Sequence, residues 1–230
     1  MKIEISEFVE GAGRAEGLAV IIDVFRAFSV ECYAADAGAS QIIATSAVEE
    51  AFRLRERYPG ALLVGEREEK KVPGFDFGNS PTEILKGNIE GRTIIHTTTA
   101  GTQGLINAVK AEHVITGSFV NAAAIVRYIK HINPDKVFLV AMGYRAEESA
   151  EEDLLCARLI ASRLEGTTPA SSREIMDLRN TSGKRFFNRQ NIDFSPPTDF
   201  FLCTMTDRFD FILKAVKRTD GNMTMIKTEI

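Results

Sequence analysis

The sequence predicts an α/β fold of three layers, in which helices cover both faces of a mostly parallel (mixed) sheet. Three observations support this prediction. Short apolar runs alternate with segments of helical periodicity as far as Gly166. The run Leu18–Ile22 is uninterrupted, as is usual for a strand buried on both faces. Capping signals separate strands from helices, as where Ser80, Pro81 and Glu83 open a helix.

The elements follow one another along the chain. Strands are predicted at these ranges, the first of them at an edge of the sheet: 2–7, 18–23, 41–44, 62–64, 92–96, 113–116 and 136–141. Helices are predicted between them, two opened by capping boxes at Ser46 and Ser149, at 27–37, 46–58, 81–86, 101–110, 119–131 and 149–164.

Beyond Gly166 the periodicity weakens. The tail suggests, in order, a helix over 171–180, an irregular polar stretch over 183–197, a helix over 199–207, and a hairpin of 211–217 with 223–227. We interpret residues 166–230 as completing and covering the sheet. The prediction is therefore one domain over residues 1–230.

Composition excludes several classes of protein. A formal net charge of -4 without a basic stripe argues against a general nucleic-acid binder. No apolar run is long enough to span a membrane, and Met1–Glu10 lacks the apolar core of a signal peptide. The odd number of cysteines (Cys32, Cys156 and Cys203) suits free thiols. These features predict a cytoplasmic protein without a membrane partner.

Polar residues collect where the predicted parallel strands end, which is where ligands bind in such sheets. The strand ends carry Asp23 with Arg26, Glu66 with Arg67, the segment Thr97–Thr102, Gly117 with Ser118, and Gly143 with Tyr144. We expect these groups to share one edge of the sheet.

The loop from Glu66 to Ser80 contains the most chemistry of any connection in the chain. Its centre, Glu68 to Lys71, is typical of a solvated charged loop. Glu66, Asp76 and Asn79 lie beside glycine and phenylalanine at the ends of the loop, which favours a binding site over a simple chain reversal. A solvated loop throughout is the alternative.

The segment Thr97–Thr102 offers hydroxyls and backbone N–H groups at the start of a helix, with Gly101 allowing close approach of a ligand. It predicts an anion cradle, and a threonine-capped helix is the equal alternative. Ser118 has the same two interpretations. No Gly-Lys-Ser/Thr follows, so the segment is not a Walker loop.

Asp23, Glu66 and Asp76 are hard oxygen donors of the kind magnesium prefers. Asp23 as a helix cap is the alternative. Glu151, Glu152 and Asp153 open the long helix, where acids are common for electrostatic reasons, and only Glu152 or Asp153 is a candidate further ligand. The three histidines lack paired spacing, which argues against zinc.

The combination of strings resembles the 2-phosphosulfolactate phosphatase family over about two thirds of the chain. The strings are Val20-Ile-Ile-Asp-Val-Phe-Arg-Ala27, Gly65-Glu-Arg67, Gly74-Phe-Asp-Phe-Gly-Asn-Ser-Pro-Thr-Glu83, Thr97-Thr-Thr-Ala-Gly-Thr102, Gly117-Ser-Phe-Val-Asn-Ala122 and Glu152-Asp-Leu-Leu-Cys156. The resemblance implies a cytoplasmic, magnesium-dependent phosphatase that converts 2-phosphosulfolactate to sulfolactate on the route to coenzyme M. It also implies an α/β sandwich unlike other phosphatases.

The resulting hypothesis assigns roles. Magnesium would be held by Asp23, Glu66 and Asp76, with Glu152 or Asp153 added. Phosphate would be bound by Asn79, Ser80, Thr97, Thr98, Thr99, Gly101, Thr102 and Ser118. Arg26 and Arg67 would pair with carboxylate and sulfonate, or with charge developing on the phosphoryl group.

Several alternatives stay open. The nucleophile is a water or a carboxylate. Ala100 stands where the family usually has asparagine, and Ala27-Phe28-Ser29-Val30 stands where the family favours small hydroxyl residues, so another phosphorylated hydroxy acid is a second substrate class. A non-catalytic anion-binding domain is the rival from outside the enzymes. A homodimer is expected from base rates alone.

Overall fold

The computed structural model describes residues 1–230, which form ten strands and nine α-helices. The strands are β1 (Lys2–Glu7), β2 (Gly17–Ile22), β3 (Gln41–Ala44), β4 (Leu62–Arg67), β5 (Lys70–Lys71), β6 (Thr93–Thr97), β7 (Ala111–Gly117), β8 (Lys136–Ala141), β9 (Phe211–Lys217) and β10 (Met223–Glu229). The helices are α1 (Phe8–Arg14), α2 (Ala27–Asp36), α3 (Val48–Arg57), α4 (Pro81–Lys86), α5 (Gly101–Asn107), α6 (Ala122–Ile132), α7 (Glu151–Glu165), α8 (Ser172–Asp177) and α9 (Pro197–Thr204).

The strands form one mixed sheet in the order β1-β8-β2-β7-β9-β10-β3-β6-β4-β5. Two parallel blocks are visible in this order. One joins β1, β8, β2 and β7, and the other joins β3, β6 and β4. The predicted edge position of β1 is confirmed, and β5 makes only a short antiparallel pair with β4.

Helices cover both faces of this sheet, which confirms the three-layer α/β prediction. Along β2, Ala19 and Ile21 pack with α2 and α5, whereas Leu18, Val20 and Ile22 pack with α6 and α7. Because side chains alternate along a strand, an uninterrupted apolar run is what two covered faces require. No helix has the length and apolar character needed to cross a bilayer.

The hairpin β9–β10 lies in the middle of the sheet, where its antiparallel strands join the two parallel blocks. The predicted hairpin is therefore confirmed, while the idea that the tail covers the sheet is wrong for these strands. The alternating residues Phe211, Leu213 and Ala215 enter one core and Ile212 enters the other. The start of β9 is therefore buried on both faces, whereas β10 buries Met223 and Met225 and exposes Ile226.

Three local predictions differ from the structure. Helix α1 was not predicted, because Gly11 and Gly13 lower its helix propensity. Close packing explains why it forms, since a Cβ at Gly11 would lie 2.8 Å from the Ser6 hydroxyl. The capping boxes predicted at Ser46 and Ser149 are absent. Ser149 instead donates a hydrogen bond to Glu7.

The central position of the hairpin predicts the effect of truncating its buried face. Ile212→Ala should lower the free energy of unfolding by about 2–4 kcal/mol, because Ile212 is fully buried and the change leaves a cavity. Ile226→Ala is the matched control in the same hairpin, where the side chain is 46% exposed. Urea unfolding of both variants checks this, and equal small effects would contradict a central hairpin.

Candidate functional site

The main candidate site is an open cleft at the carboxyl ends of β2, β4, β6 and β8. This is the edge at which parallel sheets bind ligands. The cleft is lined by Asp23, Phe25, Arg26, Glu66, Glu68, Glu69, Asn79, Thr98, Thr99, Ala100, Gly143, Tyr144, Arg145, Glu152, Asp153 and Arg185. Four separate strand ends therefore meet in one pocket.

Asp23 follows β2 and lies at the floor of the pocket, with 7% of its surface exposed. Its Oδ1 accepts a hydrogen bond from the backbone N–H of Ala27 at 3.1 Å, so the predicted helix-capping alternative is also realised. Its Oδ2 accepts no hydrogen bond from the protein. The absence of a side chain at Gly101 leaves room for this oxygen, because a Cβ on residue 101 would lie only 2.8 Å from Oδ2.

Backbone N–H groups fix the neighbouring carboxylates. The N–H of Thr99 and that of Glu69 each donate to Glu66 at 2.8 Å. The N–H of Val24 and that of Gly143 donate to Asp153 at 2.8 Å and 2.9 Å. Asp153 thus ties the loops after β2 and β8 to the first turn of α7.

Glu152 contrasts with its neighbour Asp153. Both side chains are buried, but no protein group makes a well-formed hydrogen bond to Glu152 Oε2, although the Ser182 hydroxyl lies close enough to lower the pKa of this carboxyl. An unpartnered buried carboxylate oxygen is costly, and its position in the pocket wall points to a ligand. Asp23 and Glu152 therefore supply the open oxygens, while Asp153 is a structural tie.

The proton affinities of these acids reflect their crowding. Burial, assisted by the charges of Glu66 and Glu152, raises the pKa of Asp23 to about 6. Burial also raises the pKa of Glu152, against the opposing charge of Arg185. Asp153 has its pKa raised well above the ordinary value by burial and by the neighbouring carboxylates. A bound cation would relieve this repulsion.

The donor set suits magnesium only in part. No three or more His, Cys, Asp or Glu side chains converge closely enough to hold a metal ion by themselves. Magnesium, however, keeps several waters and is usually held by one or two carboxylates together with substrate phosphate oxygens. The open oxygens of Asp23 and Glu152 fit that incomplete coordination, with Glu66 as the neighbouring carboxylate.

Three arginines line the pocket and differ in how fully they are engaged. Arg26 is almost wholly buried and donates to Asp199, Phe194 and the Glu69 carbonyl. Arg185 pairs with Glu69 at 2.7 Å, yet its Nε is buried without a partner. At the mouth, Arg145 is 47% exposed and lies 3.8 Å from Glu68.

Asp199 links the distant parts of the pocket wall. Its Oδ2 accepts from Arg26 at 2.8 Å, and its Oδ1 accepts from the Ser80 hydroxyl and the Thr82 N–H. Ser80 in turn caps α4 by accepting from the N–H of Glu83, as the sequence predicts. The Ser80 hydroxyl is therefore engaged by this network, and Ser80 is not among the residues that line the pocket.

The threonine segment is partly a cap and partly a pocket wall. Thr98 and Thr102 bond to each other through backbone and hydroxyl groups, which is the predicted capped-helix alternative. Thr99 Oγ1 is buried without a partner, and Thr98, Thr99 and Ala100 line the pocket. The anion cradle is therefore narrower than predicted, since Thr97 and Thr102 lie outside it.

Three further predicted site residues lie elsewhere. Arg67 donates to the carbonyls of Glu66 and Ser46 and to the Thr97 hydroxyl, so it ties β4 to β6. Asp76 accepts from the Leu63 N–H at 2.8 Å, outside the pocket.

Ser118 is wholly buried and shares a hydrogen bond with Ser29 at 2.7 Å, which excludes it from the phosphate site. Phe28 is also wholly buried in the core, behind Gly101. Only Ala100, of the two departures from the family pattern, therefore lines the pocket.

The sequence did not reveal four residues of the pocket. Glu68 and Glu69 were interpreted as solvated, yet Glu69 bonds to Arg185 and its N–H holds Glu66. Arg185 lies in the polar stretch without periodicity, and Arg145 lies in the loop after β8. No local pattern marks either arginine, because each is brought to the site by tertiary packing.

The fold and the site define a class: an α/β protein with a crowded acidic pocket, rimmed by arginines, at the carboxyl edge of its sheet. The model of the 2-phosphosulpholactate phosphatase family matches residues 4–193 of the chain. The chain belongs to this family.

Similar proteins carry the same description. A probable 2-phosphosulfolactate phosphatase from Carboxydothermus hydrogenoformans is 43% identical over 66% of this chain and 63% of that protein. Proteins of the same description from Bacillus subtilis and Caldanaerobacter subterraneus are 30% and 34% identical, over 91% and 86% of their lengths. The alignment thus spans less than two thirds of the first relative and most of the other two.

The Arg26–Asp199 pair predicts a large effect of removing one charge. Asp199→Asn should lower the free energy of unfolding by roughly 3–5 kcal/mol, because it leaves the buried Arg26 guanidinium without its counter-charge. Asp210→Asn is the matched control, since that carboxylate is 92% exposed and pairs with Arg127 at the surface. Urea unfolding measures both, and similar small losses would contradict a structural role for the buried pair.

The raised pKa of Asp23 predicts a pH dependence of stability in metal-free protein. The neutral carboxyl stabilises the folded state, and this contribution is complete below pH 3.8 and lost as the pH rises through about 6. Asp23→Asn retains the acceptor for Ala27 and removes the charge. The variant should therefore be more stable than wild type by about 1–3 kcal/mol at about pH 8, with a smaller difference at about pH 4.

Urea unfolding in the presence of a chelator measures this difference at the two pH values. Asp76→Asn serves as the matched control, because Asp76 is half-exposed outside the pocket. A loss of stability in Asp23→Asn at the higher pH would contradict repulsion among the buried acids.

Proposed function

We propose that the protein hydrolyses a small, highly anionic phosphate monoester with the aid of magnesium, and that 2-phosphosulfolactate is the substrate. The observation that carries the proposal is the pairing of open carboxylate oxygens with open anion-binding groups in one pocket. Asp23 and Glu152 supply the former, and Arg145, Arg185 and Thr99 supply the latter. The family and the descriptions of its members support phosphate-ester hydrolysis.

Electrostatics supports the need for a cation. Six carboxylates line the pocket against three guanidinium groups. The proposed substrate adds a phosphate, a carboxylate and a sulfonate, all negative near neutral pH. An anion of this charge would be repelled from the empty pocket. A divalent cation beside Asp23 would offset the repulsion and lower the charge that the substrate meets.

The chain's own residues divide the remaining tasks. Asp23 and Glu152, with Glu66 beside them, would hold magnesium, which when bound neutralises phosphate charge and orients the attacking group. The Thr99 hydroxyl and the backbone N–H of Ala100 line the pocket at the start of α5, where phosphoryl oxygens would accept their hydrogen bonds.

The arginines suit the other charges of the substrate. The planar guanidinium of Arg145 lies at the mouth and would pair with the carboxylate or the sulfonate. Arg185 would reach the phosphoryl group or a neighbouring oxygen through its unpaired Nε. Arg26 would contribute its positive charge from behind, because its Nη1 donates to Asp199 and Phe194 and its Nη2 donates to the Glu69 carbonyl.

The reaction adds one water across the ester. The bond between phosphorus and the ester oxygen breaks, the ester oxygen leaves with a proton as the hydroxyl of sulfolactate, and the phosphoryl group leaves as inorganic phosphate. The nucleophile is either that water or a carboxylate whose phosphoryl ester the water then hydrolyses. Both routes have the same balance and use the same pocket.

Release of inorganic phosphate from 2-phosphosulfolactate, with and without magnesium, tests the proposal. Release that requires magnesium is expected. Asp23→Asn and Glu66→Gln should each lower kcat/KM by about a hundredfold or more, since a charged contact to metal or transition state is lost. Asp76→Asn should retain turnover, because that carboxylate lies outside the pocket.

The outcomes separate the candidates. Loss of turnover in Asp76→Asn with retention in Asp23→Asn would place the metal in the loop that the sequence favoured. No release from 2-phosphosulfolactate, with release from another phosphorylated hydroxy acid, would change the substrate and keep the chemistry. If no ester of such a panel released phosphate, the non-catalytic anion-binding domain would be favoured.

A further inference from the structure

A chain of three buried polar side chains leads from the interior to the pocket, and the proposed hydrolysis does not use its inner members. Glu31 lies in the middle of α2, His96 lies in β6, and Asn79 lines the pocket just before α4. His96 Nδ1 lies 2.9 Å from Glu31 Oε1, and His96 Nε2 lies 3.3 Å from Asn79 Oδ1. All three are at most 6% exposed.

A buried polar pair of this kind is weak evidence for a purely stabilising role. The cost of removing polar groups from water offsets much of their attraction, and apolar residues of similar volume serve as well in many cores, although removing only one partner of a pair is costly. Glu31 Oε2 even lacks a hydrogen-bond partner, which adds to the cost. The third member of the chain reaches the pocket, which points to a role there.

The position of His96 determines which atom of the Asn79 amide faces the pocket. Asn79 Oδ1 lies 3.3 Å from His96 Nε2, so these two atoms form a hydrogen bond in the tautomer that carries a proton on Nε2. On the other side of the ring, His96 Nδ1 lies 2.9 Å from Glu31 Oε1. Asn79 Nδ2 then remains, and it donates to no acceptor in the protein.

The backbone around Asn79 is already held on both sides. The N–H of Gly78 donates to Glu83 at 2.6 Å, and the Ser80 hydroxyl donates to Asp199 at 2.8 Å. The side-chain torsions of Asn79 are thus what remains to be set. His96 sets them from within, since an isolated asparagine amide could present either its oxygen or its nitrogen to the pocket.

We propose that His96, held by Glu31, is a positioning residue that locks Asn79 so that its side-chain N–H₂ donates to a phosphoryl oxygen. The proposal rests on the proposed function, because it assumes a phosphate in this pocket. An oxygen of Asn79 facing the pocket would add to the crowded carboxylates and repel an anion. The locked amide supplies a neutral donor among acids.

Binding of inorganic phosphate in the presence of magnesium, measured by calorimetry, is the first test. Asn79→Ala should raise the Kd about tenfold, as expected for one hydrogen bond to a charged group. His96→Phe should raise it similarly, and the double variant should be no weaker than Asn79→Ala alone. Multiplying effects would overturn the proposal, because His96 would then act by another route.

Two further variants keep the test independent of folding defects. His96→Gln retains an N–H donor near the position of Nε2 and should recover most of the phosphate affinity. His113→Phe is the matched control, a histidine in strand β7 that lies outside the pocket. Failure of His96→Phe to fold leaves Asn79→Ala and His96→Gln to decide, and a Kd unchanged in Asn79→Ala would overturn the proposal.

Nitrogen-15 spectroscopy of the imidazole supplies a readout without ligand. The chain has only three histidines, and His96 should show a slowly exchanging Nε2–H in the wild type. A lone pair on Nε2 would reverse the amide of Asn79 and overturn the proposal. Tighter magnesium binding by the Asn79→Asp variant would also overturn the proposal, since residue 79 would then be a metal ligand.

Turnover is measured separately so that the two proposals can fail independently. If the wild type turns over the ester and the Asn79 and His96 variants bind phosphate as well as the wild type does, only the positioning role would be contradicted. Phosphate binding with the expected changes, but no turnover on any ester, would remove only the hydrolysis. Absence of phosphate binding in the wild type would overturn the donor role of Asn79.

Discussion

The buried ion pair of Arg26 and Asp199 is the interaction on which the pocket depends. It joins the residue directly before α2 to the start of α9, 173 positions later in the chain. The same carboxylate holds Ser80 and thereby fixes the approach to Asn79. Because both side chains are almost wholly buried, the surrounding protein constrains the geometry of the pair. The C-terminal third is consequently part of the pocket wall.

A second constraint is the gathering of negative charge. Backbone N–H groups from separate loops hold Asp23, Glu66 and Asp153, so the fold stabilises the carboxylates locally without balancing their charge. The remaining repulsion raises the pKa of Asp23 to about 6. Active sites commonly accept such a loss of stability for function. The pocket therefore concentrates negative charge that its own three guanidinium groups do not balance.

Local patterns in the sequence predicted the fold class, most strand positions and the edge at which the pocket lies. They succeeded because periodicity and capping are local properties, as with Leu18–Ile22 and the cap at Ser80. The central place of β9–β10 depends on which strands they pair with, which periodicity does not encode. Arg185 was missed for the same reason, since its partners Glu69 and Phe25 lie more than a hundred residues away.

The polar residues predicted at the strand ends differ in how many of their side-chain donors and acceptors are already hydrogen-bonded to other protein groups. Arg67 and Ser118 looked like ligands in sequence, but protein groups occupy their donors. Thr99 and Glu152, by contrast, are held through the backbone and keep an unpaired side-chain oxygen in the pocket wall. A sequence shows which groups are able to bind, whereas only tertiary packing shows which remain unsatisfied. The unsatisfied groups meet in one pocket, and for that reason we propose this pocket as the site.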